Sequence, residues 1–314
     1  MEITHTILIS LLTYKSTDVI EECLKSLQNQ SNQNFKCFVF DNNSQDNLAE
    51  IIKKYSWVTL IKIKENNGYT GGHNFAFNYF RENFPNHKYM MILNPDIYLP
   101  KNLLQGFFNL FKVKETILYT CPTLYDFKGK KRLRSSKNIS LPSFTFFGRD
   151  LKNSEVKKKY IKTMFVSGSC FVVNLHKYNY NYLFKDYFMY HDEIELSLRV
   201  ILDGNENLST TIENHIHYPK KDPVSESVNY LLEVNRLKLQ VDVFNHSFVL
   251  INLPFYLINR ILIILIFKPV KHYLICFKGL KDGLIYFYQN AFKLNVISFE
   301  KTVKFLFIEN QKYK

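Results

Sequence analysis

The chain of 314 residues is 46% apolar and 22% charged, with a net charge of +13 at neutral pH. That length and apolar content exclude a disordered polymer and suffice for one large domain with an appendage, or for two small domains. The positive balance suits an anionic partner, whether nucleic acid, a phosphorylated substrate or an acidic lipid surface, and composition does not choose among them.

In chain order, residues 6–14 make a β-branched, leucine-rich run short enough for a buried strand. Between Asp18 and Gln30, apolar residues at Val19, Ile20, Cys23, Leu24 and Leu27 form a helical stripe. Residues 35–41 are predicted as a second strand, Leu48–Tyr55 as a helix and 58–64 as a third strand. A glycine-rich turn then precedes a helix over Asn74–Phe84, a fourth strand at 89–94, a helix over Asn102–Phe111 and a fifth strand at 117–122. Strand followed by helix, repeated, predicts an α/β fold with a mixed, mainly parallel sheet and helices on both faces. Ligands of such sheets sit beyond the C-terminal strand ends, so the loops there are the places to look for chemistry.

Residues 124–160 are basic and irregular and are expected to form a flap. Strand character returns over 162–174, residues 191–204 read as a helix stopped by Gly204, and 207–219 read as a strand ending at Pro219. From Ser225 onward helical periodicity takes over, which divides the chain into a first domain over 1–225 and a helical region over 226–314. The cysteines Cys23, Cys37, Cys121, Cys170 and Cys276 are odd in number, scattered, and lack any C-x-x-C pair. Neither a disulfide framework nor a structural zinc site is indicated. No positively charged segment precedes the first apolar residues, so no signal peptide is visible and a reducing, cytosolic setting is expected.

Three strand ends carry unusual polar clusters. Asp41–Asp46 follows the second strand, and on its own reads first as a turn with a helix cap. Asn66–Asn74 opens a helix, and its three glycines allow close approach of a ligand whose anionic part the helix N-terminus favours. It is neither G-x-G-x-x-G nor a P-loop, so dinucleotide and ATP readings fit poorly. Asn94–Pro95–Asp96 follows the fourth strand and can present a carboxylate to a metal, or serve as an ordinary turn.

Together these clusters resemble glycosyltransferase family 2, the inverting enzymes of GT-A fold, and especially its bacterial rhamnosyltransferase-like and galactofuranosyltransferase-like members. The resemblance spans Ile7 to Asn235 and rests on Thr13, Tyr14, Asp41, Asn43, Asn67, Gly68, Gly72, Asn74, Asn94, Asp96, Ser167–Val173, Asp192, Glu193, Arg199 and His217. It implies that Thr13, Tyr14, Asp41 and Asn43 line the base and ribose pocket, and that Asn67, Gly68, Gly72 and Asn74 hold the donor from the other side. Asn94–Pro95–Asp96 takes the place of the family's D-x-D motif, with Asn94 for the first acid. It further implies a divalent cation, Mg2+ or Mn2+, held by Asp96 and His217, with His215 as a nearby competitor. The catalytic base corresponds to Glu193, and the reversed order of the acidic pair leaves Asp192 as the alternative. Glu195 and Arg199, at i and i+4, read as a structural pair. Asn235 matches an Arg-Asn motif in which Val234 replaces the arginine.

Residues 248–267 form a mostly apolar run long enough to span a bilayer, interrupted by Asn252, Pro254, Asn259 and Arg260. Beyond it, Cys276, Leu280, Leu284, Phe287 and Ala291 recur at helical spacing. From Phe248 to the end there are ten Lys or Arg against three Asp or Glu. Two amphipathic helices lying on an anionic membrane surface account for this pattern, and a helical bundle packed on the first domain is the alternative. The expected function is inverting transfer of a sugar (rhamnose, galactofuranose or another hexose) from a dTDP- or UDP-linked donor. The acceptor is a hydroxyl of a growing, lipid-linked bacterial cell-surface glycan, and the enzyme works on the inner face of the cell membrane. The departures at Asn94 and Glu193 leave a non-catalytic, membrane-anchored sugar-nucleotide-binding protein as the alternative. The basic runs lack RNA- or DNA-binding motifs, so nucleic acid is not an expected partner.

Overall fold

A computed structural model describes residues 4–127, 130–211, 214–217, 225–291 and 296–313. The elements in chain order begin with β1 (Thr4–Thr13), α1 (Ile20–Gln28), β2 (Phe35–Asp41), α2 (Leu48–Ile52) and β3 (Val58–Lys62). They continue with α3 (Gly68–Asn83), β4 (His87–Leu93), β5 (Ile97–Tyr98), α4 (Leu103–Val113), β6 (Leu118–Thr120) and β7 (Thr123–Phe127). Next come β8 (Lys130–Ser140), β9 (Thr145–Asp150), α5 (Asn153–Val156), β10 (Tyr160–Thr163), β11 (Cys170–Asn174) and α6 (Asp192–Leu202). The last strands and α-helices are β12 (Asn207–Thr210), β13 (His215–His217), α7 (Glu226–Val243), α8 (His246–Phe267), α9 (Tyr273–Asn290) and α10 (Phe299–Lys304), followed by short helical turns over Phe305–Glu309 and Asn310–Tyr313.

An eight-stranded sheet has the order β10-β12-β6-β11-β4-β1-β2-β3, and a five-stranded sheet has the order β5-β13-β7-β8-β9. Strands β3, β2, β1 and β4 run parallel, as the alternation of strand and helix predicts. β11 enters antiparallel between β4 and β6, which makes the sheet mixed. β1 is buried on both faces, the reason its sequence reads as a continuous apolar run. Ile7, Ile9 and Leu11 point to one face and pack with Leu24 and Leu27 of α1 and Phe107 of α4. Leu8 and Leu12 point to the other and pack with Phe77 and Phe80 of α3 and Leu196 and Val200 of α6. Each such buried leucine contributes roughly 1.5–3 kcal/mol through removal from water.

Four sequence expectations are corrected here. α3 starts at Gly68 rather than Asn74, so the glycine-rich stretch is the helix's own first turns. Residues 124–160 are not an irregular flap: β7, β8 and β9 form successive antiparallel pairs within the second sheet. Pairing partners decided the strands, against low local apolarity, since β propensity is weak and context-dependent. The stretch 162–174 is broken by a turn at Ser167–Ser169 between β10 and β11. The stretch 207–219 splits into β12 in the large sheet and β13 in the small one.

The last helices share one apolar cluster with α6, in which Ile194, Leu198 and Leu202 meet Leu237, Val249, Tyr256, Cys276 and Phe287. α9 approaches α7 closely at Gly279, where a Cβ would lie 2.7 Å from the Tyr230 carbonyl oxygen. The stripe of Cys276, Leu280, Phe287 and Ala291 faces inward in this bundle. α8 is divided differently. Val249, Tyr256, Arg260 and Ile264 are buried, and Arg260 Nε donates to Glu233 Oε2 of α7 at 3.1 Å. Its opposite face leaves Leu250, Ile251, Phe255, Ile258, Leu262 and Ile266 exposed.

Candidate active site

The ends of β1, β2 and β4, the turn before β11 and the N-termini of α3 and α6 are joined by a continuous chain of contacts. At the first of these ends, the buried Thr13 donates from Oγ1 to the Phe40 carbonyl at 3.2 Å, and its own carbonyl accepts the Asn42 N–H at 2.9 Å. Tyr14 is exposed beside it. Asp41 closes a local turn, its Oδ1 accepting the Ser44 N–H at 2.8 Å. Asn43 sits at φ 60°, a left-handed conformation that asparagine tolerates better than most residues.

Asn42, which the sequence reading passed over, ties this loop to the next. Its Nδ2 donates to Asn66 Oδ1 at 2.9 Å and to the Gly68 carbonyl at 3.0 Å, and its Oδ1 accepts the Asn67 N–H at 3.3 Å. Gly68 has φ +67°, and a Cβ there would lie 2.4 Å from the Phe188 carbonyl oxygen. Only glycine fits both demands. Gly72 and Asn74 serve neighbouring packing. A Cβ on Gly72 would lie 2.5 Å from Leu12 Cδ1. The Asn74 amide accepts the Leu183 and Phe184 N–H groups at 2.9 and 2.8 Å and donates to the Phe184 carbonyl at 2.8 Å. His73, between them, is fully buried, and burial pulls its imidazole down to about 3. It is therefore neutral at ordinary pH and belongs to the core beneath α3.

Asn94 donates its N–H to the Ser169 carbonyl at 2.9 Å, which fixes the N-P-D turn to the Ser167–Ser169 turn. Asp96 is half-buried immediately before β5. β5 pairs with β13 so that Ile97 stands opposite His217, which puts the His217 backbone one position from Asp96. The His217 side chain lies outside the described residues. His215 is enclosed instead by Cys121, Thr123, Ser167 and Ser169.

Glu193, in the first turn of α6, is half-buried against Gly168, whose notional Cβ would be 3.4 Å from both Cβ and Cγ of the glutamate. Asp192 is buried, at 3% exposure. Tyr69 of α3 donates its hydroxyl to the Gly168 carbonyl. Burial first, and then the charges of Asp192 and Glu193, push that phenol well above its usual range, so it stays protonated beside the acidic pair. Neither Tyr69 nor Gly168 stood out in the sequence reading, although both lie inside the matched motifs. Glu195 and Arg199 make the expected structural pair, with Arg199 Nε and Nη2 each 3.0 Å from a Glu195 oxygen.

The segment before α6 is held under strain. Phe188, Tyr190 and His191 all have positive φ, at 60°, 71° and 66°. Asn235 of α7 stabilises it, its Nδ2 donating to the carbonyls of Tyr187, Met189 and Tyr190 at 2.9, 2.7 and 3.2 Å. The matched Asn235 thus reaches the backbone that carries the acidic helix.

In an open α/β sheet, polar and acidic side chains gathered beyond the strand ends mark the place where a ligand binds. A family model for glycosyl transferase family 2 matches residues 9–179, and the chain belongs to that family of glycosyltransferases. None of the curated proteins matches the sequence. Among solved structures, residues 1–349 of S. aureus TarS in complex with UDP-GlcNAc align with a TM-score of 0.60 at 13% identity. That alignment covers 90% of this chain and 81% of the TarS chain. GalNAc-T7 with UDP, GalNAc and Mn2+ aligns with a TM-score of 0.62 at 10% identity, over 92% of this chain and 58% of that one. At these identities the likeness establishes the GT-A fold.

Proposed function

We propose that the protein transfers a sugar (rhamnose, galactofuranose or another hexose) from a dTDP- or UDP-linked donor to a hydroxyl of a growing, lipid-linked bacterial cell-surface glycan, with inversion. The observation that carries this reading is the seating of Glu193 on Gly168, one residue from the carbonyl that fixes Asn94. It joins the acidic helix to the N-P-D turn, where donor and acceptor must meet. In the reaction, the acceptor oxygen forms a bond to the anomeric carbon as the bond to the diphosphate breaks. Glu193 accepts the acceptor proton, and the nucleoside diphosphate leaves with the electron pair. Thr13, Tyr14, Asp41 and Asn43 hold the nucleoside. Asn67 and Gly68 present the N-terminus of α3, whose partial positive charge favours the diphosphate.

The family relationship calls for a divalent cation, and the donor set fits one. β13 pairs with β5, the strand that follows Asp96, and a carboxylate, an imidazole and the Asn94 amide oxygen are donors that suit Mg2+ or Mn2+. When bound, such an ion offsets negative charge on the leaving diphosphate. We assign catalysis to residues 1–225 and membrane association to 226–314. The exposed apolar face of α8 and the basic excess of this region suit the inner, anionic face of the cell membrane.

Asp96→Ala tests the reading. Wild-type protein incubated with UDP- or dTDP-sugars and Mn2+ is expected to turn over donor, even by slow hydrolysis, and the variant to lose turnover while melting at the same temperature. Full activity in the variant, or in wild type with excess chelator, overturns the metal assignment. Absence of any turnover in wild type overturns the enzyme reading in favour of a sugar-nucleotide-binding protein.

A further inference from the structure

Cys121 lies just past β6 and Cys170 opens β11. The antiparallel register that sets Thr120 opposite Phe171 also sets these two cysteines opposite one another. Their sulfurs are 3.9 Å apart. His215 of β13 completes the group, with Nδ1 3.2 Å from Cys121 Sγ. The three donor atoms lie within 4.8 Å of one another, and all three side chains are buried. The other ring nitrogen, Nε2, is engaged by Ser169 Oγ at 3.0 Å and Thr123 Oγ1 at 3.1 Å. Those hydroxyls set the ring's rotation and leave Nδ1 turned to the sulfurs, as outer partners do for metal-bound histidines.

We infer that Cys121, Cys170 and His215 form a site for one thiophilic divalent cation, best matched by zinc, separate from the hard-donor site at Asp96. A tetrahedral zinc with bonds of about 2.3 Å places two sulfurs roughly 3.8 Å apart, the separation already present here. The remaining edge closes by about 1 Å through side-chain rotation, leaving a fourth position for a neutral water. Binding releases both thiol protons to solvent, while the neutral imidazole offers its Nδ1 lone pair. Two thiolates then balance the dication, so the buried assembly is neutral. Soft sulfur donors select zinc over the Mg2+ or Mn2+ expected at Asp96.

The ion would tie β6 and β11 of the large sheet to β13 of the small sheet. The residues around it include Ser167 and Ser169, which belong to the turn that holds Asn94 and flanks Glu193. The site is therefore a structural clamp behind the catalytic turn.

The test is metal titration of the intact protein after treatment with chelator. With Co2+ as the probe, one equivalent is expected to give thiolate-to-cobalt charge-transfer absorption and the visible bands of a tetrahedral ion. Zn2+ is expected to displace it and to raise the melting temperature. Cys121→Ser and Cys170→Ser should each lose the charge-transfer band, and Asp96→Asn should keep it. Loss of the band in Asp96→Asn, or its survival in both cysteine variants, overturns the assignment without bearing on catalysis. X-ray absorption of zinc-loaded wild type needs no variant. Sulfur in the first coordination sphere supports the site, and a sphere of oxygen and nitrogen alone overturns it.

Discussion

Asp192 and Glu193 are adjacent in sequence, yet their surroundings differ because successive helical positions point about 100° apart. Asp192 is turned into the protein, while Glu193 lies half-buried against Gly168. That difference supports the proton-accepting role proposed for Glu193. Glu193→Gln keeps shape and polarity but removes the accepting carboxylate. Turnover is expected to fall roughly 10²–10⁴-fold with nucleotide affinity nearly unchanged, as read by steady-state kinetics beside a binding titration. Asp192→Asn should cost less. A dead Asp192→Asn with an active Glu193→Gln would shift the register by one residue, and activity in both would remove the acidic helix from the chemistry. At this same scale the sequence was informative about residue types and silent about orientation. It placed both acids in one helical turn and favoured Glu193 only through the family resemblance, whereas packing shows how their surroundings differ.

Between elements, α7 performs two tasks through polar side chains that the matched motifs do not explain locally. Asn235 donates to three carbonyls of the strained 187–190 segment. Asn235→Ala removes these three hydrogen bonds and should lower stability by about 1–3 kcal/mol. If the contact positions the acidic helix, kcat should fall more than KM changes, and an unchanged kcat would reduce Asn235 to a stabilising role. On the other side of α7, Glu233 meets Arg260 of α8, with side chains 1% and 5% exposed. Glu233→Ala leaves a buried guanidinium unpaired and should cost about 3–5 kcal/mol in urea unfolding, whereas Glu233→Met with Arg260→Met should recover most of that loss. Equal stability of the single and double variants would show that the charges act independently. From sequence alone Arg260 looked like an interruption of an apolar run. The tertiary structure gives it a partner 27 positions away in the chain.

Across the whole molecule, the C-terminal helices pack as the bundle that the sequence offered as the alternative, with one face of α8 left exposed. α9 turns its apolar stripe into the bundle, and α8 shares its residues between bundle and surface. Removing residues 248–314 would strip core side chains such as Tyr256 and Cys276, so the membrane reading calls for a gentler test. Ile258, Leu262 and Ile266, replaced together by serine, should release the protein from anionic liposomes while turnover with a soluble acceptor persists. Added salt should weaken binding of the wild type by screening its basic excess. Undiminished liposome binding in the triple variant would place the membrane contact elsewhere.

The sequence by itself determined the alternating strand and helix order, the parallel core of β1 to β4, the three polar strand ends and the family. Each of these is written in local periodicity or in a short motif, and burial of β1 on both faces leaves an unmistakable apolar run. The second sheet was not legible, because the strand β8 is specified by its neighbours β7 and β9 rather than by apolar alternation of its own. Glu193 and Asp96 were readable as motif members. The roles of Asn42, Tyr69 and Gly168 were not, since each acts across a gap in sequence of 24 residues or more. The same holds for the cysteines, which have no metal-binding spacing along the chain. Cys121, Cys170 and His215 become neighbours only when antiparallel pairing of β6 with β11 and the placement of β13 bring three distant segments to one point. Short-range order is carried by residue type, whereas these contacts depend on strand register, which only the assembled sheets define.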